Sequence, residues 1–185
     1  DASCAGLMAN LFWYDVENGG LQCIQTVTVG GAFERSIPYA DFTLSKGQDY
    51  FIAFGTESLN GRVIHTDGSI TDSDGNYTRP AKAVIKNVSV SQNSVKMVLN
   101  EECKGALKYD YVIGTSEDML KTGQYTKVLK NQEELKSAFA YMDKGTWYVA
   151  CHAWLKGEDG KKVFGQWSEI HKVDVSAITP QAPVI

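Results

Sequence analysis

Five stretches of this chain are strand-forming runs: "LQCIQTVTV" (21–29), "DYFIAF" (49–54), "SVKMVL" (94–99), "KYDYVIG" (108–114) and "TWYVACHAW" (146–154). They are rich in Val, Ile, Tyr, Phe and Trp, and several alternate with a period of two. That pattern suits a pleated, half-buried surface. Turn clusters separate the runs: "VENGG" (16–20), "SLNG" (58–61), "HTDGS" (65–69), "DSDGN" (72–76) and "KGEDGKK" (156–162). Gly, Asn, Asp and Ser supply the backbone conformations and local hydrogen bonds that tight turns need. Helices do not alternate with the strands, which argues against a parallel α/β sheet and for antiparallel β-sandwiches. The one helix-like stretch is "NQEELKSAFAYM" (131–142). In an all-β setting it reads as a loop leading into a corner.

The chain has 185 residues, enough for two small sandwiches of about 100 residues or slightly fewer each. An internal repeat points the same way. "RPAKAVI" (79–85) and "TPQAPVI" (179–185) end 100 residues apart, and "KGQDYFIAFGT" (46–56) matches "KGTWYVACHAW" (144–154) at a spacing of 98. The expected fold is all-β, with two tandem antiparallel β-sandwich modules. Residues 1–79 form the first, truncated or divergent because only ten residues precede "LFWYDV". Residues 80–178 form the second, and 179–185 are a linker toward a third.

Formal net charge is −4, from 18 basic and 22 acidic residues. No basic stripe stands out, so nucleic acid is not an expected partner. No run of 18 apolar residues exists, so no helical membrane insertion is expected. The N-terminus has no initiator Met and no signal-peptide pattern. The chain therefore reads as a mature or excised piece of a longer protein, with flanking domains as its covalent neighbours. Four cysteines, Cys4, Cys23, Cys103 and Cys151, form no CxxC pair. A zinc site is not expected, and two disulfides are permitted.

Cys151 and His152 adjoin, which raises a thiol active site. Successive strand side chains point to opposite faces. Trp147, Val149, Cys151 and Ala153 share one face; Tyr148, Ala150, His152 and Trp154 share the other. Cys151 and His152 thus point apart and cannot act as nucleophile and base. The inward phase makes Cys151 a buried core residue. No GxSxG, HExxH or P-loop motif is present. No catalytic residue is expected, and the three histidines are expected at the surface or rim.

Two groups are candidate binding sites. Asp67, Asp72, Asp74 and Asn76 place hard oxygen donors close together just before the module junction, a chemistry that suits calcium. The alternative is a polar hairpin tip. No other cofactor is expected. Among aromatics, Trp13 in "LFWY" (11–14), Trp154 and Trp167 are candidates for stacking on a sugar ring or anchoring a protein partner. Core packing is the alternative.

Residues 80–178 resemble a bacterial fibronectin type III domain. "PAKAVIKNVSVSQNSVKMVL" resembles its first two strands, with Val95, Met97 and Leu99 on one face. "ALKYDYVIGTSED" resembles the third, with Tyr109, Tyr111 and Ile113 inward. "GTWYVACHA" resembles the sixth and "GQWSEIHKVDV" the last. Trp147 stands where the family has Tyr, Cys151 where it has Val, and Leu99 where Trp is common. The first departure puts the family's tyrosine-corner hydrogen bond in question, because indole offers only a donor. By parity Cys103 faces the opposite sheet, so a Cys103–Cys151 disulfide is an alternative to two separate thiols.

The resemblance implies a non-catalytic, extracellular or cell-surface pair. It would serve as a spacer, adhesion or protein-binding module of a larger bacterial surface or secreted protein, with a protein or glycan ligand. A rival is a carbohydrate-binding accessory piece of a secreted glycosidase, and a second rival is a thiol enzyme.

Overall fold

The computed structural model describes residues 6–16, 19–28 and 49–176. The chain divides into two compact units, Asp1–Tyr77 and Thr78–Ile185. The linker at 179–185, the second copy of the Pro-Ala-Val-Ile repeat, and Cys4 lie outside the described residues.

In the first unit the strands are β1 (Met8–Asp15), β2 (Gly20–Thr28), β3 (Tyr50–Gly55), β4 (Val63–His65), β5 (Ile70–Thr71) and β6, which begins at Tyr77 and ends at Arg79. They form one antiparallel sheet in the order β3-β1-β2-β4-β5-β6. A second sheet facing it, which a sandwich requires, is not present among the described residues. β1 and β2 are a hairpin whose register shifts between Leu11 and Phe12. Leu11 pairs with Gln25 and Phe12 with Cys23, which leaves Ile24 as the extra residue of a bulge. On β1 itself Leu11 and Phe12 are both buried although they are sequence neighbours. A strict alternation through "LFWY" cannot produce that.

Asn10 is the polar centre of this unit. It is buried, and its Oδ1 accepts from Thr26 Oγ1 (2.6 Å) and the Leu59 N–H (2.9 Å). Its Nδ2 donates to the Glu57 carbonyl (3.2 Å). One amide therefore ties β1 to β2 and to the loop after β3.

The second unit contains β7 (Ile85–Ser91), β8 (Ser94–Leu99), β9 (Lys108–Gly114), α1 (Glu117–Lys121), β10 (Lys127–Gln132), β11 (Lys136–Phe139), β12 (Gly145–Lys156), β13 (Lys162–Phe164) and β14 (His171–Val175). One sheet runs β11-β8-β7; the other runs β10-β9-β12-β13, with β14 also paired to β12. The chain leaves the small sheet at β9, returns for β11 and leaves again at β12. That is a two-sheet antiparallel sandwich with Greek-key crossings.

The strand phase read from the sequence sets the core. Val95, Met97 and Leu99 meet Tyr109, Tyr111, Ile113, Trp147, Val149, Cys151 and Ala153 in a single buried cluster. Cys103 and Cys151 both belong to it and are not joined by a disulfide. The stretch at 131–142 is neither helix nor plain loop. Its first residues end β10, and Lys136–Phe139 pair with Val95–Val98 of β8. The helical residues are instead Glu117–Lys121. Ser116 caps them by accepting the Met119 N–H, with Glu117 and Asp118 in the first turn and Lys121 in the last.

Trp147 completes the corner. Its Nε1 donates to the Asp143 carbonyl at 2.9 Å. The corner needs a donor, and an indole N–H supplies one as well as a phenol O–H does, so the Tyr-to-Trp departure keeps the bond.

Candidate functional site

The larger sheet of the second unit is covered on its outer face as well as its inner one. Val112 and Ala150 point outward, and Leu120 of α1 packs over them with Tyr125, Val128, Tyr148 and Ile170. Gly114 permits the helix to sit this close, because a Cβ there would lie 3.1 Å from Leu120 Cδ2.

The second cover is the segment between β13 and β14. Where strand pairing lapses, Ser168 pairs with Cys151 instead. The Ser168 N–H donates to the Cys151 carbonyl (2.8 Å), and the Ser168 hydroxyl accepts the Cys151 N–H (3.0 Å). That hydroxyl donates onward to the Glu169 carbonyl (2.9 Å). Ser168 thereby fixes the position of Trp167, which lies in this connection and not on a strand.

Trp167 folds onto His152, with ring centroids 3.6 Å apart and planes within 11°. Phe164 stacks on His152 from β13 at 4.5 Å. His152 is thus a buried ring between two aromatic rings, not the surface or rim residue expected. The strand phase placed it outward correctly; what covers it comes from residues 12 and 15 positions further on. Burial lowers its pKa to about 4, with the Lys162 charge acting in the same direction and Asp110 opposing. The ring is neutral near pH 7.

Beside this stack lies a charge hub. Asp110 Oδ1 accepts from the Asn131 N–H (2.8 Å) and from Trp154 Nε1 (3.1 Å), and Oδ2 accepts from Lys162 Nζ (3.4 Å). Asn131 sits in the left-handed region (φ 61°) at the β9–β10 register break, and Asp110 takes up the N–H that the break frees. Lys162 Nζ also lies 4.1 Å from the Trp154 ring centroid. Trp154 is 8% exposed, so it cannot present a face to a ligand. Trp13, in the first unit, is partly buried and donates to Gln22 Oε1 at 2.9 Å. Of the three candidate tryptophans, Trp167 is the exposed one, at 36%.

Between α1 and Trp167 a cleft of about 120 Å³ opens, lined by Val112, Leu120, Lys121, Ala150, Trp167, Ser168 and Ile170. No motif marks it in the sequence. Its parts come from β9, α1, β12 and the β13–β14 connection, and they meet only when the sheet forms.

Cys151 is fully buried on the opposite face of β12 from His152. Burial pushes its thiol pKa far above the ordinary value, reinforced by the nearby Cys103 and Asp110. The thiolate that nucleophilic chemistry needs is therefore suppressed.

The acidic stretch does not form a ligand set. Asp67 Oδ1 accepts from the Ser69 N–H (2.9 Å) and hydroxyl (2.6 Å). Asp72 Oδ1 accepts from the Asp74 and Asn76 N–H groups at 2.9 and 2.8 Å, and Oδ2 from Asn76 Nδ2 at 3.2 Å. Those bonds hold the Asp72 carboxyl below its usual pKa. Each aspartate closes its own turn, and among the described residues no group of three His, Cys, Asp or Glu side chains converges on a metal position. Turn closure relieves the carboxylates locally, which favours the hairpin-tip alternative for this stretch.

No family model matches the chain, and no curated protein matches it. Among solved structures it is similar to the FN1–FN3 domains of chicken CNTN1, at 10% identity and a TM-score of 0.40, covering 93% of this chain and 57% of that one. It is also similar to a DUF3823 family protein from Bacteroides uniformis, at 11% identity and a TM-score of 0.37, covering 92% and 89%. The fold assignment rests on the strand order and core described above: the chain is all-β, and its second unit is a fibronectin type III-like antiparallel β-sandwich.

Proposed function

We propose that this chain is a non-catalytic pair of β modules, the second a bacterial fibronectin type III domain. In this reading it serves as a spacer and protein-binding element of a larger surface or secreted protein. The observation that carries the proposal is the separation of Cys151 from His152. The thiol is sealed in the sandwich core, and the imidazole is clamped between Phe164 and Trp167 on the other face. The residues best suited to chemistry are thus committed to packing. What remains for a ligand is surface, and the outer face of the large sheet carries its exposed aromatics.

Thiol chemistry tests the non-catalytic part. In the folded chain Cys151 is expected to react with iodoacetamide only as fast as the second unit opens. Rapid labelling near neutral pH overturns the reading. Fractionating the source cells with an antibody to this chain tests the location, and recovery in the cytosol overturns the surface or secreted assignment.

A further inference from the structure

We infer that the cleft between α1 and Trp167 is a docking pocket for one apolar side chain of a partner protein, held next to a carboxylate on that partner. The inference rests on the binding role proposed above and specifies its chemistry.

Size sets the first limit. An apolar cavity of about 150 Å³ holds a benzene molecule, so 120 Å³ is room for one branched aliphatic side chain or a small ring. Polarity sets the second. Val112, Leu120, Ala150 and Ile170 are aliphatic, and Trp167 forms an aromatic wall. Ser168 is the one hydroxyl in the lining, and it already accepts from Cys151 and donates to Glu169. A sugar ring brings several hydroxyls, and each one desolvated without a partner costs affinity. The pocket therefore favours a hydrocarbon group over a glycan.

Charge sets the third. Lys121 is the charged residue of the lining, with its side chain 60% exposed. Its bond to Glu117 (3.1 Å) is an exposed i,i+4 pair, which contributes little and is easily exchanged. A partner carboxylate beside the apolar anchor can draw Lys121 across the mouth. The aromatic wall is rigid enough to receive the anchor. Trp167 is braced by His152 on one side and faces Tyr125 at 6.0 Å, so little ordering remains to be done on binding.

The test is NMR titration of the whole chain with three probes: N-acetyl-leucinate, N-acetyl-leucinamide and methyl glucoside. The leucinate is expected to shift the Trp167 indole N–H and the Leu120 and Ile170 methyls at millimolar concentration. The amide should bind about two- to fivefold more weakly, the worth of one exposed ion pair. The glucoside should leave these signals in place. Lys121→Gln is expected to make the two leucine probes equal, and Ala150→Leu, which fills the floor, to abolish both. Wild-type mapping keeps the test decisive if the filled variant folds poorly. No shift at these signals up to tens of millimolar, equal binding of acid and amide by the wild type, or a response to the glucoside instead, each overturns the inference. Fast Cys151 labelling with the cleft still binding fails only the non-catalytic reading. Slow labelling with an inert cleft fails only this one.

Discussion

Trp147 reaches back four residues, and its indole N–H meets the carbonyl of Asp143 at 2.9 Å. The bond pins the start of β12 to the turn that delivers it. Trp147→Phe keeps an aromatic ring but removes the donor and leaves a buried gap. The expected loss is about 1–3 kcal/mol in a urea melt of the second unit. Trp147→Tyr restores a donor and should recover part of it. A Phe variant as stable as wild type would show that the corner bond contributes nothing.

Asp110 serves three donors from three different elements. Asp110→Ala leaves the Trp154 indole and the Asn131 N–H without their acceptor, while Lys162 keeps its bond to Asn131 Oδ1. Leaving a buried donor unsatisfied costs about 1–3 kcal/mol, and the partly exposed Lys162 adds little to that. Asp110→Asn preserves acceptor geometry and should cost less. The check is equilibrium unfolding of both variants, with Trp fluorescence reporting Trp154.

The pH dependence has a definite sign. Burial lowers the His152 pKa from 6.5 to about 4, so the unfolded chain takes up a proton more readily than the folded one. This contribution is complete above about pH 6.5, is lost as pH falls, and levels off below about pH 4. Its full size is about 3 kcal/mol by linkage. His152→Phe removes the titrating group and should flatten the stability profile between those limits. An unchanged profile would place the acid sensitivity elsewhere.

Calcium is expected to do nothing. With Asp67 and Asp72 each closing its own turn, melting curves in millimolar calcium and in EDTA should superimpose. Asp72→Ala should still destabilise the first unit, because the Asp74 and Asn76 N–H groups lose their acceptor. A calcium-dependent rise in Tm, lost in Asp74→Ala, would restore a cation site.

The period of two through "TWYVACHAW" places Cys151 in the core and His152 on the other face, and the structure keeps both placements. The sequence cannot show what lands on that other face. Phe164 and Trp167 arrive from beyond a turn, and α1 is five residues long, too short for a helical period to register. The 131–142 stretch misleads for a related reason. Its Glu, Leu, Lys and Ala favour a helix locally, but Asn131 turns left-handed and Lys136–Phe139 find a partner in β8. Tertiary pairing outweighs propensity there. The acidic stretch is legible as turns, whereas the N–H groups that Asp67 and Asp72 accept from are set by the folded backbone.

β12 is flanked along its length by β9, β13 and β14, and its Cys151 lies opposite Tyr111, roughly forty residues back in the chain. The β9–β10 and β12–β13 hairpins of the large sheet are local, but joining them into one sheet requires the distant β9–β12 pairing. The entropy of closing that long loop comes first, and the reward arrives only when β12 is in place. Contacts this distant in sequence slow folding toward the millisecond-to-second range. Until then the edge of β9 that pairs with β12 is open, so the nascent second unit passes through an interval of exposed strand edge.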